Sequence, residues 1–363
     1  MGQYVLAKAA RTLTGSTYSS ASQYTFCRPP NSDEQLEFRM SATQMNPSEG
    51  GELTAAIIDC VSDVVVTENS VLETVLTGVL ARGHVLLEDV PGTGKTLTAL
   101  SIADALGLSF SRIQFTPDLL PNDITGTHVY NEHEGIFEFN EGPIFANVVL
   151  ADEINRAPPK TQAALLEAMD ENQVTVSGET KPLPDPFVVI ATQNPIEQEG
   201  TFPLPEAQLD RFIVKTSLGY PDRDGELEIL NLRENRTTRK PSVSAVTSPA
   251  EVLALRQVPE RVRVDPSIKE YIVDIARATR EHEYVSLGVS PRGIQRFYEA
   301  ARARAVISHR DYVAPEDVKA IAVPIVQHRL VLTTEASIEG VSKPDLTRRI
   351  VDSVPVPSIT GAD

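Results

Sequence analysis

The 363-residue sequence predicts an α/β fold: a three-layer core with a parallel sheet and helices on both faces, followed by a small all-helical domain. Three observations carry that prediction. Short, nearly continuous apolar runs at His84–Leu87, Asn147–Ala151 and Phe187–Thr192 have the length and composition of strands buried on both faces. Helical and turn segments separate them, which is the alternation a parallel sheet requires. Beyond about residue 249 the segments open on or near proline and continue with helical periodicity.

In chain order, residues 1–50 come first, rich in Ser, Thr, Gln and Asn, close to neutral and without apolar periodicity. The expectation is a disordered N-terminal arm. Met40 and Met45 lie just before the first periodic segment, so an upstream start-site artefact and a recruiting tail are both compatible with this stretch. Residues 51–217 are expected to form the α/β core. It opens with amphipathic helices at Leu53–Val61 and Ser70–Ala81, and a helix from Thr96 to about Leu106 follows the first strand. A helix (Gly225–Leu232) and a polar, Arg- and Thr-rich connector fill residues 218–248. The helical domain takes 249–345, with helices at Ala250–Arg256, Pro266–Arg280, Pro291–Ile307 and Pro315–Gln327. Residues 346–363 are expected to be a flexible tail.

Composition narrows the function classes. A hydrophobic content of 41% suits a packed core, and no run is long and apolar enough for a membrane span or a secretory signal, so the expected location is cytoplasmic. Cys27 and Cys60 stand apart without a CxxC partner, and the six histidines (His84, His128, His133, His282, His309, His328) show no ligand spacing. Neither a disulfide framework nor a zinc site is suggested. The formal charge is −17, and the basic residues divide into nine Lys and 24 Arg. Acid excess with scarce lysine resembles a salt-adapted, halophilic surface, because high salt screens self-repulsion; an acidic mesophilic protein is the alternative. Without a basic stripe the chain is a poor nucleic-acid binder.

The strand His84–Leu87 runs into Asp89-Val90-Pro91-Gly92-Thr93-Gly94-Lys95-Thr96-Leu97, a phosphate-binding loop between strand and helix. Glycine at 92 and 94 lets backbone N–H groups point inward at phosphate oxygens, and the following helix adds its positive N-terminal end. The expected nucleotide-binding set is Val90, Pro91, Gly92, Thr93, Gly94, Lys95, Thr96 and Leu97, with Lys95 on the β- and γ-phosphates and the Thr96 hydroxyl on Mg²⁺. The full phosphate-loop pattern asks for Gly where Asp89 stands. A second strand ends in Asp152-Glu153, placing one carboxylate to hold the metal and the next to polarise an attacking water. The third ends at Asn194, whose amide is placed to contact the γ-phosphate or that water. Together these residues predict an Mg²⁺-dependent hydrolysis of ATP.

Longer strings carry a resemblance. Ile113–Pro121, Gly142-Pro143-Ile144-Phe145, Ala151–Gln162, Gln193–Gly200, Leu204–Phe212 and Ser290-Pro291-Arg292 resemble the MoxR branch of AAA+ ATPases over residues 52–335. The resemblance implies a P-loop AAA+ core with a helical lid. Arg211 matches the family's arginine finger, which serves the neighbouring subunit's nucleotide, and Arg292 matches its second sensor, acting in cis or in trans. It also implies two hairpin insertions, Ile124–Phe139 with its turn at Asn131–Gly135 and Val174–Leu183, where apolar and polar residues alternate around turn signals. No aromatic–apolar pore loop of the protein-unfoldase kind is expected. The implied protein is a homo-oligomeric ring, a hexamer, that remodels or activates a client, with a von Willebrand factor A domain protein on another chain as partner. A nucleotide-switched scaffold and a nucleic-acid motor are the alternatives, the second disfavoured by the acidity.

Overall fold

A computed structural model describes residues 45–195, 200–235 and 241–357 of the chain. Its first element is α1 (Pro47–Ser62), begun by a capping box: Glu49 N donates to Asn46 Oδ1 at 3.0 Å, and the Glu49 carboxylate accepts from Asn46 N at 2.8 Å. Met45 is only 4% exposed ahead of it, so the packed chain starts earlier than the expected boundary at residue 51. The arm predicted over residues 1–44 lies outside the described residues.

Helix α2 (Asn69–Leu80) then leads to β1 (His84–Glu88), α3 (Lys95–Ala105) and β2 (Phe110–Gln114). A five-residue helix α4 (Pro121–Thr125) opens the hairpin β3 (Gly126–Asn131) and β4 (Ile136–Glu141), followed by β5 (Val148–Asp152) and α5 (Pro159–Glu171). The second hairpin pairs β6 (Gln173–Val176) with β7 (Glu179–Pro182) through Ser177-Gly178, both at positive φ, the backbone that a two-residue hairpin turn demands. Then come β8 (Val188–Gln193), α6 (Glu206–Leu209) and β9 (Phe212–Thr216).

The five core strands lie in the order β2-β5-β8-β1-β9, all parallel. Successive side chains serve opposite faces. Val85, Leu87, Val148, Leu150, Val188 and Ile190 pack with α1, α2 and α3, while Leu86, Val149, Ala151, Val189 and Ala191 pack with α5 and the hairpins. This is why the strand runs read as continuously apolar. The chain leaves β1 for one side of the sheet and returns to the other at β9, so the C-terminal ends of β1 and β8 frame the crevice where ligands of such sheets bind.

The remainder comprises α7 (Arg223–Glu234), α8 (Pro249–Leu255), α9 (Pro266–Glu281), β10 (Val285–Leu287), α10 (Pro291–Ile307), α11 (Pro315–Val326), β11 (Val331–Leu332), α12 (Thr334–Ile338) and α13 (Lys343–Ser353). Its helices carry one short antiparallel ribbon, β10 with β11. Helix α10 packs on α1 and α2, so the helical part shares an apolar cluster with one face of the sheet. The expected flexible tail is corrected by α13, which buries Leu346, Thr347 and Ile350 on one stripe; residues 358–363 lie outside the description. Just after α11, Gln327 Nε2 donates to Lys215 O at 2.7 Å and Arg329 Nε to Asp210 Oδ1 at 2.7 Å, tying the helical part to both ends of β9.

In the first hairpin Tyr130 and Phe137 pair across the two strands with ring centroids 5.2 Å apart, and Phe137 is 70% exposed, with Val129 and Ile136 exposed beside them. Among the described residues no helix is long and apolar enough to cross a membrane.

Candidate functional site

The predicted phosphate loop follows β1 and leads directly into α3. Gly92 and Gly94 stand at φ 88° and 90°, and a Cβ at either would meet nothing within 4 Å, so the turn needs glycine for its backbone and leaves open space beside it. The Lys95 ammonium lies folded against its own loop, donating to Asp89 O at 2.8 Å and Val90 O at 2.7 Å. Burial lowers its pKa below the ordinary lysine value, while the charges of Asp89, Asp152 and Glu153 act in the opposite sense. The loop and the end of β5 thus share one field.

Asp89 departs from the glycine pattern for a structural reason. It is buried, and its Oδ2 accepts from Leu218 N at 2.6 Å and Gly219 N at 3.0 Å, pinning the chain that leaves β9 to the base of the loop. Its own N–H donates to Gln193 O at 3.1 Å, which joins the loop to β8.

At the end of β5, Asp152 Oδ1 accepts from Thr192 Oγ1 at 2.6 Å, and Oδ2 accepts from Arg112 Nη2 at 2.5 Å and Nε at 3.1 Å. Glu153 adopts a left-handed backbone at φ 57°, a sparsely populated conformation for a non-glycine residue that costs about 1–3 kcal/mol and clusters at functional sites. Its N–H donates to Thr192 Oγ1 at 2.8 Å, and its Oε2 accepts from Gln114 Nε2 at 2.8 Å with Arg156 Nε at 3.2 Å. Asn194 is buried just beyond β8. Thr96 and Leu97 open α3 on the same edge of the sheet, next to Val90, Pro91 and Thr93 of the loop. The sheet therefore brings together every predicted residue of the phosphate loop with Asp152, Glu153 and Asn194. The two side chains predicted to hold a cation, the Thr96 hydroxyl and the Asp152 carboxylate, are oxygen donors of the type a hard divalent ion takes, and both Asp152 oxygens are engaged here by Thr192 and Arg112.

Arg211 and Arg292 lie elsewhere. Phe212 pairs with His84, the first residue of β1, so Arg211 sits at the N-terminal edge of the sheet, a strand length of about 13 Å from the edge that bears the loop. Its guanidinium pairs with Asp170 Oδ2 at 3.1 Å and also donates to Leu166 O. Arg292 Nη2 donates to Asp170 Oδ1 at 3.0 Å. Both arginines thus share one carboxylate near the C-terminus of α5, and in this chain neither contacts the loop. The nearby acid Asp210 pairs with Arg329 instead.

The profile of the ATPase family associated with various cellular activities (AAA) matches residues 84–214, and that of the AAA lid domain matches residues 277–350. Chaperone MoxR1 of Mycobacterium tuberculosis is 42% identical over 82% of this chain and 81% of its own length. The chain belongs to the MoxR family of AAA+ ATPases. YeaC of Bacillus subtilis, itself named as uncharacterized, is 48% identical over 84% of this chain and 95% of its own. A crystal structure from Cytophaga hutchinsonii, presented as a candidate ATPase, shares 41% identity with a TM-score of 0.80 over 89% of this chain and 99% of the other.

For this MoxR-type chain, Arg112, Gln114, Thr192 and Asp170 contact predicted site residues without having been singled out by motif. Register explains the first two, since β2 pairs with β5 so that Gln114 lies opposite Asp152 and Arg112 opposite Leu150, on the same side two residues back. Arg112 and Gln114 are polar residues two apart, and on a strand that spacing sends both side chains to one face.

Proposed function

We propose that the chain is an Mg²⁺-dependent ATPase subunit that assembles head to tail into a ring, a hexamer, and uses hydrolysis to remodel or activate a client protein. Lys95 leaves the carbonyls of its own loop to hold the β- and γ-phosphates, and the backbone N–H groups around Gly92 and Gly94 cradle them. Thr96 and Asp152 would hold the divalent ion, whose charge would offset that of the phosphates. Glu153 polarises the attacking water, and Asn194 orients it or the γ-phosphate. Arg211 and Arg292 act on the nucleotide of the neighbouring subunit. The observation that carries this reading is their convergence on Asp170, at the sheet edge opposite the phosphate loop. With that placement each chain offers half of a site at either end, which favours a heterologous, ring-closing interface.

A cytoplasmic location, a partner protein with a von Willebrand factor A domain on another chain and an acidic surface adapted to salt complete the reading. The exposed Tyr130 and Phe137 tip supports direct contact with an apolar client segment. Replacing Glu153 by Gln tests the core of the proposal: ATP binding should persist and the assembled form should accumulate in sedimentation runs, while turnover falls about 10²-fold or more. Turnover near the unmodified rate would remove Glu153 from the mechanism.

A further inference from the structure

Strands β3 and β4 carry their aromatic side chains as two rungs on one face, since Tyr130 lies opposite Phe137 and His128 opposite Phe139. In the inner rung His128 and Phe139 have ring centroids 5.3 Å apart, and Phe139 meets Phe145 edge to face at 5.8 Å. The second hairpin covers this rung. Lys181 Nζ lies over the Phe139 ring, 4.5 Å from its centroid, and 3.4 Å from Glu179 Oε2. A lysine is thus held between an aromatic face and a glutamate, an arrangement in which the ring quadrupole and the carboxylate both attract the cation. The outer rung, Tyr130 with Phe137 at 5.2 Å, repeats the ring pair but is left 51% and 70% exposed.

Fixed charge around the outer rung has one sign. From Gly126 to Glu141 the sequence holds Glu132, Glu134, Glu138 and Glu141 and neither lysine nor arginine. All four glutamates are exposed. The loop that carries the first two is held by its own hydrogen bonds: Asn131 Oδ1 accepts from His133 N at 3.0 Å and Glu134 N at 3.3 Å, and Gly135 N donates to Asn131 O at 2.8 Å. Gly135 closes the turn at φ 68°, and a Cβ there would lie 3.8 Å from the Tyr130 hydroxyl, so the Tyr130 ring reaches along the loop bearing Glu132 and Glu134. A purely apolar segment would use only the rings. One that also carries cationic side chains engages rings and carboxylates together, and the same carboxylates repel an anionic membrane surface.

We infer that this hairpin docks a client segment in which lysine or arginine stands next to apolar residues. The cation lies on the rung of Tyr130 and Phe137 as Lys181 lies on Phe139, Glu132 and Glu134 balance its charge, and the adjacent apolar residues cover the remaining ring surface. This rests on the client contact proposed above and specifies its chemistry; neither hydrolysis nor a ring is needed to detect it.

The probe is a fluorescein-labelled synthetic peptide of alternating lysine and leucine, compared with peptides of the same length in which serine or glutamate replaces lysine. Anisotropy is read on the full chain at physiological ionic strength, without nucleotide. The lysine peptide should bind about tenfold more tightly than the serine peptide, and the glutamate peptide more weakly than either. Tyr130→Ala with Phe137→Ala, and separately Glu132→Gln with Glu134→Gln, should each weaken the lysine peptide about fivefold or more. Replacing the exposed Glu270, Glu283 and Glu339 of the helical domain by Gln should change it less than about twofold, which separates the hairpin from the general acidity of the chain. Thermal unfolding checks each fold, and the glutamate pair keeps the comparison valid if loss of the ring pair loosens the hairpin. Equal binding of the three peptides, abolished by the two aromatic substitutions, would overturn the cationic requirement and leave an apolar client contact standing. No binding of the lysine peptide, or binding that no hairpin variant alters, would overturn the inference and remove the client contact from this hairpin. Loss of self-assembly in sedimentation runs of the Tyr130→Ala and Phe137→Ala chain would assign the rung to a second copy and overturn the inference as well.

Discussion

At the C-terminal edge of the sheet, Asp152 and Glu153 stand beside an open glycine loop, whereas at the N-terminal edge Arg211 and Arg292 converge on Asp170 beside a cavity walled by three further arginines. Among the described residues, Lys95 at the first edge is held by loop carbonyls, whereas Arg112 and Arg156 are paired with Asp152 and Glu153. The second has cations and nothing to hydrolyse. In the proposed function the parts of one phosphoryl-transfer site are distributed over these two surfaces, and a second copy brings them together.

The comparison breaks most readily at the loop. Replacing Lys95 by Ala removes the point charge at the β- and γ-phosphates, and ATP affinity measured with a fluorescent analogue should fall by about tenfold or more, with turnover following. Unaltered affinity would mean that the C-terminal edge is not the nucleotide site. A stability effect sharpens the other edge, where His84 is buried neutral with its pKa lowered to about 4, chiefly by burial. The unfolded chain binds this proton below about pH 6.5 and the native chain does not until about pH 4, so stability is present above that window and lost as pH falls through it. The loss amounts to roughly 3 kcal/mol at full extent, and His328, also lowered well below its ordinary value by burial, acts in the same direction. Urea midpoints should therefore drop between pH 7 and pH 5, less steeply in a His84→Gln variant; equal slopes would contradict the assignment. Smaller still is Asp89→Ala, which leaves the N–H groups of Leu218 and Gly219 without their acceptor and should cost about 1–2 kcal/mol in the same assay, with Asp89→Asn restoring part of it.

The two edges also differ in how far they can be read from sequence. The loop, Asp152-Glu153 and Asn194 are contiguous strings at strand ends, and β1, β5 and β8 are apolar on both faces, so local pattern suffices for them. Strand β2 lies at the sheet edge with only Ile113 buried, and its Phe-Ser-Arg-Ile-Gln run lacks the continuous apolar signal. Helix α13 buries a narrow stripe within a mostly polar sequence, which resembles a frayed tail until its neighbours are in place. The capping box at Asn46-Pro47-Ser48-Glu49 is legible in the sequence and opens α1. Pairing at the N-terminal edge was not legible, because Asp170 meets Arg211 and Arg292 through the packing of α5, β9 and α10, far apart in sequence.

The most direct test of the two-edge account mixes chains carrying Arg211→Ala with chains carrying Lys95→Ala under conditions where subunit exchange has been demonstrated by mass labelling. An Arg211→Ala chain retains an intact loop, and a Lys95→Ala neighbour can supply the missing arginine, so some sites become complete. The mixture should hydrolyse ATP measurably faster than either variant alone. A mixture that exchanges subunits and shows no gain over the separate variants would contradict the sharing of one site between two chains.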